Sequence, residues 1–294
     1  MAGQGQVVID IKAMGLCHTD VTIVDDPGWM KLVKTPCILG HECAGIVESV
    51  GEGVKNFAPG DRVGVCPVDA VTGASLGGVL DGSYAQKLLV PASMLVPLPD
   101  QVDFINGAAA TDAGMTSYHA LFVAGGAASG TKVGIVGMGD IGEFGARAAV
   151  AKGCQVYVAD PKPEARKIAE SFGVTQTFAD AADMASVAPE VIMDSAGFDV
   201  TTSHSLTAVA PGGKIVVVGM GILQTTISTW DLIMKQVSII GSMGGTKEDI
   251  AACYQLMADG KVKPTLSAIA FEDINDGLQL LREGRVTGRL VATR

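Results

Sequence analysis

Residues 132–160 read KVGIVGMGDIGEFGARAAVAKGCQVYVAD: a β-branched run, a glycine-rich turn, an Ala-rich helical stretch, then a second β-branched run ending in an acid. This order of elements is what restricts the fold, since the glycines have a use only between a strand and a helix. Gly137, Gly139 and Gly142 stand in GxGxxG spacing. The first permits a tight turn, the second lets a pyrophosphate approach the backbone, and the third packs helix against strand. The helix that starts at Asp140 and Ile141 offers its first amides to that anion. Asp160 closes the second strand 18 residues beyond Gly142, where a carboxylate accepts hydrogen bonds from ribose hydroxyls. Its charge repels a 2′-phosphate, so NAD is expected in preference to NADP.

Four further runs continue the pattern: TQTF (175–178), EVIMDS (190–195), KIVVVG (214–219) and VSIIGS (237–242). With the first two they supply six strands for a doubly wound parallel sheet of Rossmann type, an α/β fold. The chain before about residue 115 is different. QVVIDIK, AGIVESV, DRVGVC and YAQKLLV alternate apolar and polar residues between Gly, Pro and Asp turns, which predicts a mostly antiparallel β domain. A closing stretch, FEDINDGLQLLREGRVTGRLVATR, has a helix-then-strand pattern that fits either unit. At 294 residues the chain accommodates two such domains.

The net charge of −10, with no basic cluster, argues against nucleic acid and anionic membrane surfaces as partners. No apolar run of transmembrane length and no secretory signal is present, so a cytoplasmic location is expected. Six irregularly spaced cysteines in a chain of this size are expected to be reduced thiols.

Two of the metal-binding residue types stand in compact motifs: Cys17 in GLCHTD and His41 in GHE, beside Glu42. Thiolate, imidazole and carboxylate are zinc ligands, and a catalytic zinc takes three from the protein and keeps one position open. Taken singly, a buried thiol or a core histidine explains each residue equally well.

GLCHTD, GHE, VGEGVKNFAPGDRV, TDAGMTSYHAL, the GxGxxG unit with its acid, and VTGRLV occur in the order found in zinc-dependent medium-chain alcohol dehydrogenases, and the chain resembles that family over nearly its whole length. The resemblance implies a GroES-like catalytic domain formed by residues 1–115 and 261–294 around a dinucleotide-binding domain at 116–260. It implies hydride transfer between NAD and primary or secondary alcohols, aldehydes or ketones. Cys17 and His41 take the positions of catalytic zinc ligands. Asp112 stands where many relatives have a third, cysteine ligand, as in some bacterial secondary-alcohol dehydrogenases, and Glu42 is a nearby acid that sits close to the metal or replaces its water. By the same likeness Thr19 receives the substrate proton, Asp20 holds a ligating imidazole by its second nitrogen, and His18 and Arg289 reach the cofactor phosphates. Thr116 lies near the nicotinamide and Trp29 lines the substrate pocket. Association into a homodimer or homotetramer through the edge strand VSIIGS is implied as well.

The chain departs from the family in three places. The strand leading to GLCHTD begins almost at Met1, which removes its usual hairpin partner and predicts an exposed strand edge. The stretch VCPVDAVTGASLGGVLDGSYAQ holds only Cys66 where many relatives carry four zinc-binding cysteines, so one catalytic zinc and no structural zinc is expected. Thr22 replaces a histidine often found three residues after the proton-accepting hydroxyl. A metal-free quinone or enoyl reductase, or a non-catalytic dinucleotide-binding protein, would share the fold; the first would lack Cys17 and His41.

Overall fold

The computed structural model describes all 294 residues. Thirteen strands follow in order: β1 (Gln6–Leu16), β2 (Glu42–Val50), β3 (Arg62–Val65), β4 (Lys87–Pro91), β5 (Leu95–Pro97), β6 (Lys132–Val136), β7 (Gln155–Ala159), β8 (Gln176–Phe178), β9 (Val191–Asp194), β10 (Lys214–Val217), β11 (Ser238–Gly241), β12 (Leu266–Ala270) and β13 (Arg289–Thr293). They divide between two compact units. One comprises residues 1–112, 246–258 and 265–294, the other residues 113–245 and 259–264.

The first unit is built on a sheet of order β12-β13-β1-β2-β3-β5, with β4 also on β1, and every pair but β12/β13 is antiparallel. β1 shows how the sequence dictates this. Val7, Ile9 and Ile11 alternate into the core at the strand period, and from Ala13 to Leu16 every residue is buried. The expected bare edge of β1 is corrected by the structure. One side of the strand pairs with β2 throughout, while the other is covered by β4 at residues 6–10 and by β13 at residues 13–16. Its backbone donors and acceptors are thereby met by strands distant in sequence, which local reading does not reveal. The closing helix Ile274–Arg282 packs Ile274 and Leu281 into the same core. The helix Lys247–Ala258 also belongs to this unit, whereas the sequence boundary at 260 assigns it to the other. It buries Ile250, Cys253, Tyr254 and Met257, and Tyr254 donates to the Gly107 carbonyl at 3.0 Å.

The second unit is a six-stranded parallel sheet of order β11-β10-β9-β6-β7-β8. Consecutive residues of its strands feed opposite faces. Ile135, Val158 and Met193 pack with Ala146 and Ala149 of the helix Asp140–Ala151, and Val136, Tyr157 and Ile192 pack with Leu206. β6 lies where the winding changes direction, between β7 and β9, and a doubly wound sheet binds its ligand at the carboxyl end of such a strand. The glycine turn occupies that place.

Candidate active site

Strand register assembles the first constellation. Gly15 of β1 lies opposite Glu42 of β2, and Leu16 lies opposite Leu290 of β13, so Cys17, His41, Glu42 and Arg289 emerge at one end of three neighbouring strands. Cys17 is the N-cap of the helix His18–Asp25, in extended conformation. Gly15 is required for the approach, because a Cβ there would overlap the Glu42 carboxylate. Asp112 arrives from another direction. The helix Phe104–Ala109, capped by Asp103 accepting from the Asn106 amide at 2.8 Å, continues into a π-helical turn, Ala110–Gly114, that carries Asp112. Single π turns recur at functional sites because they re-aim a side chain without ending the helix.

Ligand atoms of Cys17, His41, Glu42 and Asp112 all lie within 4.8 Å of one another. His41 Nε2 is 3.8 Å from Glu42 Oε1 and 3.7 Å from Asp112 Oδ2. One thiol, one imidazole and two carboxylates at this spacing form a donor set that suits zinc. Behind it, Asp20 Oδ1 lies 3.5 Å from His41 Nδ1. Asp20 is itself held by the Tyr84 hydroxyl, donating at 2.8 Å, and by the Gly40 amide at 3.1 Å. Burial alone would raise the Asp20 carboxyl, but His41, Tyr84 and that amide together hold it below the usual range. Burial would likewise lower His41, yet Asp20 and Asp112 hold the imidazole well above its ordinary value. The Thr19 hydroxyl is 3.5 Å from Cys17 Sγ.

Arg289 differs most from its sequence reading. Instead of presenting a free guanidinium for phosphates, it is 3% exposed and held among carboxylates. Its Nε donates to Glu42 Oε2 at 2.9 Å, and its Nη2 contacts both Glu42 Oε1 and Asp112 Oδ2. Burial pushes the Glu42 carboxyl up to about 8, against the pull of Arg289 and with the charge of Asp112 adding to the rise. Both Glu42 oxygens accept from the fork, the geometry of a bidentate acid–guanidinium pair. Tyr84 and Arg289 are the residues that motif reading misses in these roles. A cysteine and two acids carry more negative charge than one divalent ion offsets, and that imbalance is the available signal for a nearby cation. Tyr84 leaves no comparable trace. His18 is exposed with its Nε2 3.1 Å from the Leu281 carbonyl, and Trp29 is half-buried in the short helix Pro27–Met30.

The second constellation belongs to the parallel-sheet unit. Gly137 has φ +87°, a Cβ on Gly142 would overlap the Gly137 carbonyl, and a Cβ on Gly139 would meet nothing, which leaves backbone open to an incoming group. Asp140 and Ile141 begin the helix behind this turn, with Asp140 Oδ1 accepting from the Ile141 amide at 2.8 Å. Asp160 directly follows β7 and braces the loop, accepting from the amides of Met138 and Lys162, both at 2.8 Å. Thr116 is buried in the helical turn Met115–Tyr118.

Comparison with known proteins agrees with this geometry. Residues 3–100 match the model of the alcohol dehydrogenase GroES-like domain, and residues 141–259 that of the zinc-binding dehydrogenase domain. An alcohol dehydrogenase of Geobacillus stearothermophilus is 31% identical, with 98% of this chain and 91% of that protein covered. One from Moraxella sp. (strain TAE123) is also 31% identical, with 98% and 92% covered. Among solved structures, acetophenone reductase from Geotrichum candidum NBRC 4597 in complex with NAD superposes with a TM-score of 0.91 at 28% identity, covering 100% of this chain and 91% of that one. The alcohol dehydrogenase of the archaeon Aeropyrum pernix does so with a TM-score of 0.90 at 27% identity, covering 99% and 93%.

Proposed function

We infer the reaction from a settled premise: the chain belongs to the zinc-dependent medium-chain alcohol dehydrogenase family. It is an NAD-dependent oxidoreductase that interconverts alcohols with aldehydes or ketones. The observation that carries the reading is the cluster of Cys17, His41, Glu42 and Asp112, with the His41 ring backed by Asp20.

The residues divide the work as follows. Cys17, His41 and Asp112 hold one zinc per chain, and Asp20, fixed by Tyr84, orients the His41 imidazole through its second nitrogen. When bound, zinc supplies a Lewis acid that polarises the substrate oxygen, and NAD supplies the hydride acceptor. The Thr19 hydroxyl, beside Cys17, takes the proton of the alcohol and passes it on. Gly137, Gly139 and Gly142 receive the pyrophosphate with the amides at Asp140 and Ile141, while Asp160 receives the adenosine ribose. His18 and Thr116 complete the cofactor contacts and Trp29 the substrate wall. The proposed division of the chain is a catalytic domain, 1–115 and 261–294, joined by the helix Lys247–Ala258 that packs in the same unit, and a dinucleotide-binding domain from the rest of 116–260. A metal-free reductase has no use for four clustered donors, which disfavours that alternative. Oxidation of a panel of simple primary and secondary alcohols with NAD tests the reading, and no turnover in a zinc-replete preparation would refute it.

No helix is long and apolar enough to cross a membrane. Homo-oligomerisation is proposed through the edge strand β11, where Ile239 is partly exposed and the nearby helix Thr229–Lys235 leaves Trp230, Ile233 and Met234 in solvent. Bare apolar edges of this kind pair when left uncovered. Light scattering at micromolar concentration should give the mass of a dimer or tetramer, and a monomer would contradict it.

A further inference from the structure

A cavity of about 430 Å³ opens on the antiparallel-sheet unit where four stretches of that unit meet. The residue before β1, the loop that joins β2 to β3, the segment that carries β5, and the start of the helix Lys247–Ala258 supply its walls. No residue of the metal cluster or of the glycine turn takes part. The volume lies within the roughly 300–1,000 Å³ of small-ligand sites.

Its lining is selective in charge. The chain has 31 acidic residues against 21 basic ones, yet two lysines, Lys55 and Lys247, and no acid line this cavity. Elsewhere in the unit Lys12 and Lys87 each hold a carboxylate at 2.6 Å. Lys55 and Lys247 form no such pair, although Glu52 and Glu248 stand close in sequence, and Asp249 is turned back onto the Thr246 amide and hydroxyl. The amides of Lys55, Asn56 and Phe57 likewise have no acceptor in the protein. Two ammonium groups and a run of amide donors, none of them spent on the fold, suit an anion. The remaining wall is apolar and fixed: Val54 and Phe57 pack on the core of the unit, of which Leu95 is a buried member.

We propose that this cavity binds a small organic anion, with its acid group at Lys55 and Lys247 and a short alkyl or aryl body against Phe57 and Leu95. Both halves are needed, because the attraction of solvent-facing lysines is screened by salt and burial of the apolar body adds what screening removes. The net charge of −10 opposes a polyanion such as nucleic acid, and a cavity of this size encloses only a compact molecule. The inference goes beyond the alcohol and NAD chemistry proposed above and does not depend on it.

Calorimetric titration of the full-length protein with hexanesulfonate tests it, since a sulfonate is a poor metal ligand and does not compete for the cysteine and carboxylate cluster. One molecule per chain should bind, and methanesulfonate, which keeps the charge but lacks the body, should bind at least tenfold more weakly. Lys55 is exposed and Lys247 half-buried, so both tolerate replacement. Lys55→Gln and Lys247→Gln should each weaken hexanesulfonate severalfold and the double variant at least tenfold, while Lys87→Gln in the same unit leaves it unchanged. In the unmodified protein, the amide resonances of Lys55, Asn56 and Phe57 should shift as hexanesulfonate is added, which locates the site without any variant. No binding of hexanesulfonate, equal affinity in the double variant, or shifts that leave these three amides unmoved would overturn the site. Equal affinity for methanesulfonate would overturn the part assigned to Phe57 and Leu95.

Discussion

Asp160 shows how one side chain serves both fold and chemistry. It accepts from the amides of Met138 and Lys162, which fixes the glycine loop, and it is the group proposed to receive the ribose. Asp160→Gly should narrow the preference for NAD over NADP by at least tenfold, by removing repulsion toward a 2′-phosphate. The ratio of kcat/KM for the two cofactors measures it, and equal turnover with both in the unmodified protein would contradict the assignment. Cys17, His41, Glu42, Asp112 and Asp160 are legible as residues because each sits in a short motif with a chemical reason for its type. The partners of Arg289 are not. They lie 247 and 177 positions away in the chain, and only the pairing of β13 with β1 brings them to the guanidinium.

At the scale of elements, the four inner strands of the parallel sheet, β6, β7, β9 and β10, are readable because strands buried on both faces are continuous apolar runs. The π turn that aims Asp112 and the pairing of β4 on β1 carry no comparable local signal. The stretch with the single Cys66 is instead organised by Asp69, 1% exposed. Its carboxylate accepts from Thr72 Oγ1 at 2.7 Å, Ser93 Oγ at 2.8 Å and the Val71 amide at 3.3 Å. Burial opposes ionisation, but these donors outweigh it and hold the group below the ordinary carboxylate range. A depressed value means that the stabilisation is complete above the unfolded value of about 3.9 and disappears as pH falls through the lower folded one. Asp69→Asn should cost about 2 kcal/mol at neutral pH, the scale of losing charge-assisted hydrogen bonds. Thermal unfolding from pH 7 to pH 3 should show the variant's deficit shrinking toward acid, and a deficit independent of pH would contradict this role.

For the whole molecule, the motifs of the zinc enzymes together with Cys66 alone, where a Cys₄ site would need four thiols, lead us to expect one catalytic metal per chain. All six cysteines are free thiols, and Cys66 has no second cysteine in its own stretch of chain. Asp112 is proposed as the ligand in place of the cysteine that the resemblance implies for many relatives, so Asp112→Cys should retain metal while Asp112→Ala weakens its retention. The most direct measurement is zinc content followed alongside NAD-linked alcohol oxidation during prolonged chelation. About one zinc per chain is expected at the start, with a parallel loss of zinc and turnover, NAD binding that persists, and recovery when zinc is returned. Full turnover in protein shown to be free of metal would contradict it.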